Sequence, residues 1–337
     1  MRNIYDLTIK ELEEYFMSIG EKSFRSTQVY DGLYKKRFNS FDEMTNISKD
    51  LRVKLKEDFS QYKIKLLVKQ EGENVNKYLF ELEDGNKIES VLMFHDYGTS
   101  ICVSSQVGCN MTCAFCESGR LKKVRNLLAY EIVQQILLIE EDIKKRITHV
   151  VVMGIGEPFD NYDNVMRFVK IINCGKGIDI GSRHITISTC GIIPGIKKFM
   201  EEEGQVNLAI SLHAPNDELR SKIMPINKAY KLDELMKVIK EYILKTNRRV
   251  TFEYIMIDDI NDSEKEAQEL ANLLKGINCY VNLIPYNETK NIGFKRSKEW
   301  KILKFYDILK KNKINTTIRK EFGGKVDAAC GQLRANN

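Results

Sequence analysis

Residues 101–120 read ICVSSQVGCNMTCAFCESGR, and four of the chain's eight cysteines, Cys102, Cys109, Cys113 and Cys116, fall within fifteen of them. The opening Ile101 to Ser104 reads as a strand, and a glycine-flanked Cys-x3-Cys-x2-Cys loop follows it directly. A chain of 337 residues can bury a core large enough to fold without disulfide staples. Its beginning, MRNIYDLTIKELEEY, lacks the apolar centre of a signal peptide, so a cytoplasmic protein is expected. In a reducing compartment clustered cysteines serve more often as metal ligands or catalysts than as bridges. The stretch therefore poses a question of chemistry rather than of folding.

Composition narrows the class. The chain is 43% hydrophobic and 30% charged, as ordinary globular proteins are. No apolar run approaches the roughly 18 residues of a membrane span, and no membrane partner is expected. Fifty-three Lys and Arg against 47 Asp and Glu leave a net charge of +6, which permits a polyanionic partner without demanding one. Basic clusters stand at Lys35-Lys36-Arg37, Lys122-Lys123 with Arg125, Lys144-Lys145-Arg146 and Arg248-Arg249. Any one of them reads most simply as a solvated helix end or loop.

Working outward from the cysteine loop, residues 1–60 predict a small helical domain. Thr8 and Glu11 make a capping box, Ile9, Leu12, Phe16 and Ile19 recur at helical spacing, and Gly20 stops the run. Two more helical stretches follow, Ser26 to Lys36 and Ser48 to Phe59. Residues 61–98 predict a connecting β-hairpin: Tyr78, Phe80 and Leu82 alternate before Asp84-Gly85, and a second apolar run, Ile88 to Met93, contains Glu89. From residue 99 to 337, short β-branched runs alternate with amphipathic helices. The strands are Ile101 to Ser104, His149 to Met153, His184 to Ser188, Val206 to Leu212, Val250 to Ile257 and Tyr280 to Ile284. Six βα units in a row give an α/β protein with a parallel sheet, open or barrel-like. Polar residues follow the strands directly, at Gly154, Gly156-Glu157, Ser188, Ser211-Leu212-His213 and Asn287, which gathers one site at the carboxyl-terminal edge.

A structural zinc site normally takes four ligands in paired halves, and no second Cys-x2-Cys pair exists here. Three thiolates on a four-iron cluster leave one iron open for chemistry. Cys174, Cys190 and Cys279 read as small buried hydrophobes, and His95, His149 and His184 as structural or exposed side chains.

Cys-x3-Cys-x2-Cys after the first strand of a repeated βα domain resembles the radical S-adenosylmethionine superfamily. CVSSQVGC, GIGEP, ISTCGIIPGI, AISLHAPND, MPINK, NLIPYN and DAACGQL together look like the RlmN/Cfr family of RNA adenine methyltransferases, and the N-terminal EKSFRSTQVYDGLYKK is similar as well. The resemblance implies a partial (βα)6 radical-SAM barrel with a small N-terminal RNA-binding domain. It implies that Cys109, Cys113 and Cys116 ligate a 4Fe-4S cluster whose open iron takes the amino and carboxylate groups of S-adenosylmethionine. Gly156, Glu157, Ser188, Ser211, Leu212, His213 and Asn287 would hold the rest of that cofactor.

It implies a mechanism too. The amidine carbon C2 of adenine is not a nucleophile, so a radical has to make the bond. Cys330 would take a methyl from one cofactor molecule, a second molecule, cleaved reductively, would give the 5′-deoxyadenosyl radical that activates that methyl, and the resulting methylene radical would add to adenine. Glu89 matches the family's proton acceptor. Cys102 would release the product by forming a disulfide with Cys330. Partners implied are RNA, 23S ribosomal and possibly transfer RNA but not DNA, and an electron donor such as a flavodoxin or ferredoxin system. Val107 and the run HAPND point to the adenine-C2 branch. The alternatives are the C8 branch that confers antibiotic resistance, a paralogue with another RNA target, and a non-catalytic RNA-binding protein with a structural cluster. One segment departs from the pattern: in ESGRLKKVRNL, Lys122 and Lys123 stand where the family has a glycine and an apolar residue.

Overall fold

The computed structural model describes residues 1–202, 204–289, 291–319 and 331–333. Cys330 lies outside them.

The N-terminal helices are α1 (Ile9–Ser18), α2 (Arg25–Tyr34) and α3 (Lys49–Asp58). The capping box forms as its residues dictate: Thr8 Oγ1 accepts the Glu11 N–H at 3.3 Å, and the Glu11 carboxylate accepts the Thr8 N–H at 2.9 Å. Leu12, Phe16, Tyr30 and Phe41 are fully buried at the centre of this unit.

Ten strands make one sheet: β1 (Lys65–Gly72), β2 (Val75–Glu81), β3 (Lys87–His95), β4 (Gly98–Cys102), β5 (His149–Val152), β6 (Ile185–Thr189), β7 (Asn207–Ser211), β8 (Val250–Met256), β9 (Cys279–Pro285) and β10 (Asn315–Ile318). Their spatial order follows the chain, β10 at one edge and β1 at the other. β1 to β4 pair antiparallel, and β4 to β10 run parallel. Parallel neighbours need crossovers, and α4 (Ala129–Ile143), α5 (Tyr162–Ile172), α6 (Ile193–Glu201), α7 (Asp217–Ile223) with α8 (Leu232–Thr246), α9 (Glu264–Leu273) and α10 (Glu299–Lys311) supply them. The six βα units are therefore present. Two strands add to the expectation. β1 is exposed on nearly every residue, so no burial pattern marks it, and β10 is a four-residue, largely polar NTTI. Among the described residues no helix is long and apolar enough to cross a membrane.

Register decides what each face carries, because side chains alternate along a strand and neighbours in register share a face. Cys102 stands opposite Val91 and Val151, Val151 opposite Thr186, Ser188 opposite Ala209, Ser211 opposite Glu253, and Glu253 opposite Asn282. Glu89, two residues before Val91, shares that face. One step out of phase lie Ile101, Val150, Ile187, Leu208, Phe252 and Val281, all buried in the main core with the helices' apolar stripes, among them Ile136, Phe168, Ile239 and Phe305. The helical side of the sheet is thus apolar, and the other side gathers the polar residues. On that side Ser188, Ser211, Glu253 and Ile284, one from each of four successive strands, line a single cavity. Laid flat, those strands would span about 14 Å, and the sheet is curled around that cavity as a partial barrel.

Candidate active site

The cysteine loop is a closed excursion. Gln106 and Val107 pair antiparallel with Asn126 and Arg125, zipping its base. Within it the Cys109 N–H donates to the Leu121 carbonyl at 3.0 Å, and the Ala114 N–H donates to Ile223 at the end of α7 at 2.9 Å. Gly108 takes φ +72°, and a Cβ there would collide with the Lys122 carbonyl, so glycine is required. The loop is also tied to the far end of the chain: the Glu117 N–H donates to the Gly331 carbonyl at 2.8 Å.

Cys109, Cys113 and Cys116 all line a cavity of about 140 Å³ at the carboxyl-terminal edge of the strands. Gly156, Glu157, Ser188, Ser211 and His213 line it with them. Leu212 instead packs into the main core, and its carbonyl accepts a bond from Arg220 Nε at 3.2 Å. Asn287 is half-buried and away from the cavity wall, its amide directed at the Pro285 carbonyl at 3.5 Å. Cys102 sits beneath the cavity in an apolar cluster with Val91, Met93, Ile155 and Leu333. Glu89 is buried, its Oε1 3.1 Å from Lys77 Nζ, which supplies the carboxylate with a counter-charge. His95, His149 and His184 gather at the opposite edge, where Tyr97 stacks on His95 at 4.6 Å and the rings of His149 and His184 lie 4.4 Å apart.

Burial dominates the electrostatics of the cavity. Burial, with Cys116 close by, pushes the Cys109 thiol up to about 12, and burial raises Cys113 well above the usual range. Burial also raises Glu157, although its two oxygens accept the N–H groups of Phe159 at 3.0 Å and Cys190 at 2.8 Å. Among the described residues no cation pairs with Glu157, which suits it to an ammonium group brought in by a ligand. Burial and the nearby Arg220 hold His213 down at about 3, so its ring stays neutral. Its Nδ1 accepts the Ile255 N–H at 3.1 Å, which leaves the proton on Nε2.

Five residues of the site escaped the sequence reading. Cys190 lines the cavity rather than merely filling the core. Fully buried Arg220 clasps the Cys190 carbonyl at 2.7 Å and the Asn227 side chain at 2.9 Å. Gln106, with no exposed surface, braces the Glu157 backbone. Glu253 and Arg319 line the cavity, and Asn282 donates to Glu253 at 2.9 Å. A signal for Glu253 was available: like Glu89, it is a carboxylate inside an apolar strand run.

The donor set can be tested against the metal. Four ligands on one zinc ion lie about 3.8 Å apart. Among the described residues the three thiols do not all lie within 4.8 Å of one another; the only set of three groups that does is Asp258, Asp259 and Asp262, where Lys301 Nζ stands within 2.6 to 3.3 Å of each. Three spread thiols on one loop fit a polynuclear cluster. Gly119, whose Cβ would stand 3.0 Å from the Cys113 backbone, lets that loop close tightly on itself.

The family models agree with this geometry. The one described as the ribosomal RNA large subunit methyltransferase N-terminal domain matches residues 2–60, and that of the radical SAM superfamily matches residues 103–271. The chain is 53% identical over 341 residues to a Spiroplasma citri protein named probable dual-specificity RNA methyltransferase RlmN, covering 100% of this chain and 98% of the relative. A protein of the same name from Enterococcus faecalis is 55% identical, with 99% and 96% covered. The crystal structure of a radical SAM methyltransferase from Sphaerobacter thermophilus matches with a TM-score of 0.94 at 41% identity, covering 100% of both chains. Both halves of the relatives are thus present, the N-terminal unit as well as the barrel with its three-cysteine loop, and the chain belongs to the RlmN family of radical S-adenosylmethionine methyltransferases.

Proposed function

We propose that this chain methylates C2 of an adenosine in RNA, in 23S ribosomal RNA and, as the relatives' dual-specificity name suggests, in a second RNA such as transfer RNA. The observation that carries the reading is the seat of the C-terminal segment. Gly331, the residue after Cys330, lines the cavity that the three loop thiols line, and Leu333 packs in the same apolar cluster as Cys102. The described residues that follow Cys330 thus reach both the cavity of the loop thiols and the cluster that holds Cys102.

When bound, the 4Fe-4S cluster and S-adenosylmethionine supply the one-electron cleavage that makes a carbon radical, two cofactor molecules being used per turnover. The protein's own groups do the rest. Cys109, Cys113 and Cys116 hold the cluster, and Glu157 receives the cofactor's ammonium group. Ser188, Ser211 and His213 line the wall beside it. Cys330 carries the transferable carbon, having accepted a methyl group as S-adenosylhomocysteine leaves. Glu89, with Lys77 as counter-ion, takes the proton that C2 gives up. Cys102 then attacks the Cys330 sulfur: the S–S bond forms, the carbon–sulfur bond breaks, the released carbon takes up a proton to become the methyl group, and the adduct's unpaired electron would return to the oxidised cluster. A reductase of the flavodoxin or ferredoxin class returns two electrons to the disulfide and primes the cluster.

The test is mass spectrometry of nucleosides from ribosomal and transfer RNA, comparing a strain lacking this protein with one expressing it. A gain of 2-methyladenosine is expected. A gain of 8-methyladenosine, or no new methyladenosine in either RNA, overturns the reading.

A further inference from the structure

The segment Leu121-Lys122-Lys123-Val124 departs from the family's pattern, and its backbone shows what it does. The Lys122 carbonyl lies over Gly108, the Val124 N–H donates to the Val107 carbonyl at 2.8 Å, and the Lys123 N–H donates to Asn110 Oδ1 at 3.1 Å. Pinned in this extended form, the side chains alternate. Lys122 and Val124 are exposed, and Lys123 turns inward with only 19% of its side chain exposed.

Its ammonium group is 2.7 Å from Asp160 Oδ2. The same carboxylate oxygen accepts a bond from Gln106 Nε2 at 2.9 Å. Gln106 Nε2 also donates to Asn126 Oδ1 at 2.8 Å, while Gln106 Oε1 accepts the Glu157 N–H at 2.9 Å. Donors at one end of the amide and an acceptor at the other fix its orientation, since flipping it would set like against like at all three contacts. The Gln106 stem presses on Gly156 so closely that a Cβ there would fall 2.6 Å from it. Asp160 is therefore the group that orients Gln106, and Gln106 holds the turn that carries Glu157. An unneutralised Asp160 carboxylate would stand three residues from the buried Glu157 carboxylate and would be drawn toward water. Lys123 supplies the charge that keeps it in place.

We propose that Lys123 is a positioning residue for the cofactor: through Asp160 and Gln106 it holds the Gly156-Glu157 turn in the form that receives the amino end of S-adenosylmethionine. The proposal rests on Glu157 as a cofactor contact. It assigns the departure at residue 123 to cofactor affinity and not to RNA choice.

The experiment uses the anaerobically reconstituted full chain, without RNA, and titrates S-adenosylmethionine against the electron paramagnetic resonance signal of the reduced cluster. For Lys123→Met, with Lys123→Gln as a second neutral variant, the midpoint rises about three- to tenfold. In turnover assays the KM for S-adenosylmethionine rises by the same factor, kcat stays within about twofold and RNA affinity is unchanged. Lys123→Arg restores the midpoint. Asp160→Asn weakens binding alike, and adding Lys123→Met to it weakens binding no further. Unchanged midpoints in both neutral variants, additive losses in the double variant, or a loss of RNA affinity without a loss of cofactor affinity each overturn the proposal. A wild-type chain that loads the cluster but shows no response to S-adenosylmethionine overturns the cofactor reading beneath it.

Discussion

The Ser118 hydroxyl donates to the carbonyl of Leu333 at 2.6 Å, joining residues 215 apart in the chain. With the neighbouring bond from the Glu117 N–H to the Gly331 carbonyl, it fastens the C-terminal segment to the loop that carries Cys109, Cys113 and Cys116. In the proposed reaction, cluster binding and thiol chemistry share that piece of backbone.

Breaking that fastening should uncouple the two halves of the reaction. In Ser118→Ala, iron loading and RNA-independent release of 5′-deoxyadenosine should match the wild type, while methyl transfer to RNA falls about tenfold, as expected for losing about 1.4 kcal/mol of positioning. Quantifying both products from one reaction gives the ratio that checks this.

Cys102 should show its role by what accumulates without it. In Cys102→Ala, the base has no thiol to release it from Cys330, so a covalent protein–RNA species should build up to near one equivalent, and 2-methyladenosine should be lost. Denaturing gel electrophoresis followed by nuclease digestion and mass measurement identifies the adduct. A fully active variant would exclude the assigned chemistry.

Gly108 takes φ +72° beneath the Lys122 carbonyl. Alanine there has to accept a left-handed backbone and displace the crossing strand, at a cost of about 2 kcal/mol or more. Gly108→Ala should lower the urea midpoint of the metal-free chain and cut iron content after reconstitution, whereas Gly181→Ala, at a glycine with open space around its Cβ position, should leave both unchanged.

The attachment of the N-terminal helices to the barrel carries a pH signature. Burial alone would push the Glu11 carboxyl up, but bonds from Arg167, Thr8 and Arg2 outweigh it and hold the carboxyl down at about 2, against 4.5 ordinarily. Arg167 Nη1 lies 2.7 and 2.5 Å from the two Glu11 oxygens. Because the folded-state value is the lower one, the stabilisation is complete above about pH 4.5 and is lost as the pH falls toward 2. Arg167→Met should flatten the acid limb of stability in that window and leave the profile above pH 5 parallel to the wild type. Urea midpoints measured from pH 3 to 7 test it.

Much of this molecule was legible in one dimension. The capping box at Thr8 and Glu11 is local chemistry between residues three apart, and it forms as written. The alternating Tyr78, Phe80 and Leu82 bury as a strand's core face must. The Cys-x3-Cys-x2-Cys spacing and the run of short strands each ending in polar residues identified the edge where the cavity lies. β1 was not legible because an edge strand exposed on both faces has no periodicity to read. Leu212 sits in the expected segment, yet its side chain packs into the main core rather than the cavity. A motif locates a turn but not the direction of each side chain on it.

Local pattern thus determined the helices, the parallel strands and the three-thiol loop, because hydrophobic period and cysteine spacing act over a few residues. Only the tertiary structure decided which groups meet. Glu89, Cys102, Ser188, Ser211 and Glu253 share one face through hydrogen-bond register across six strands, Gly331 reaches the cysteine loop from the other end of the chain, and Lys123 finds Asp160. These are contacts between segments far apart in sequence, and no short-range spacing encodes them. They exist because strand register and the closing of the cysteine loop set side by side residues that neither period nor motif relates.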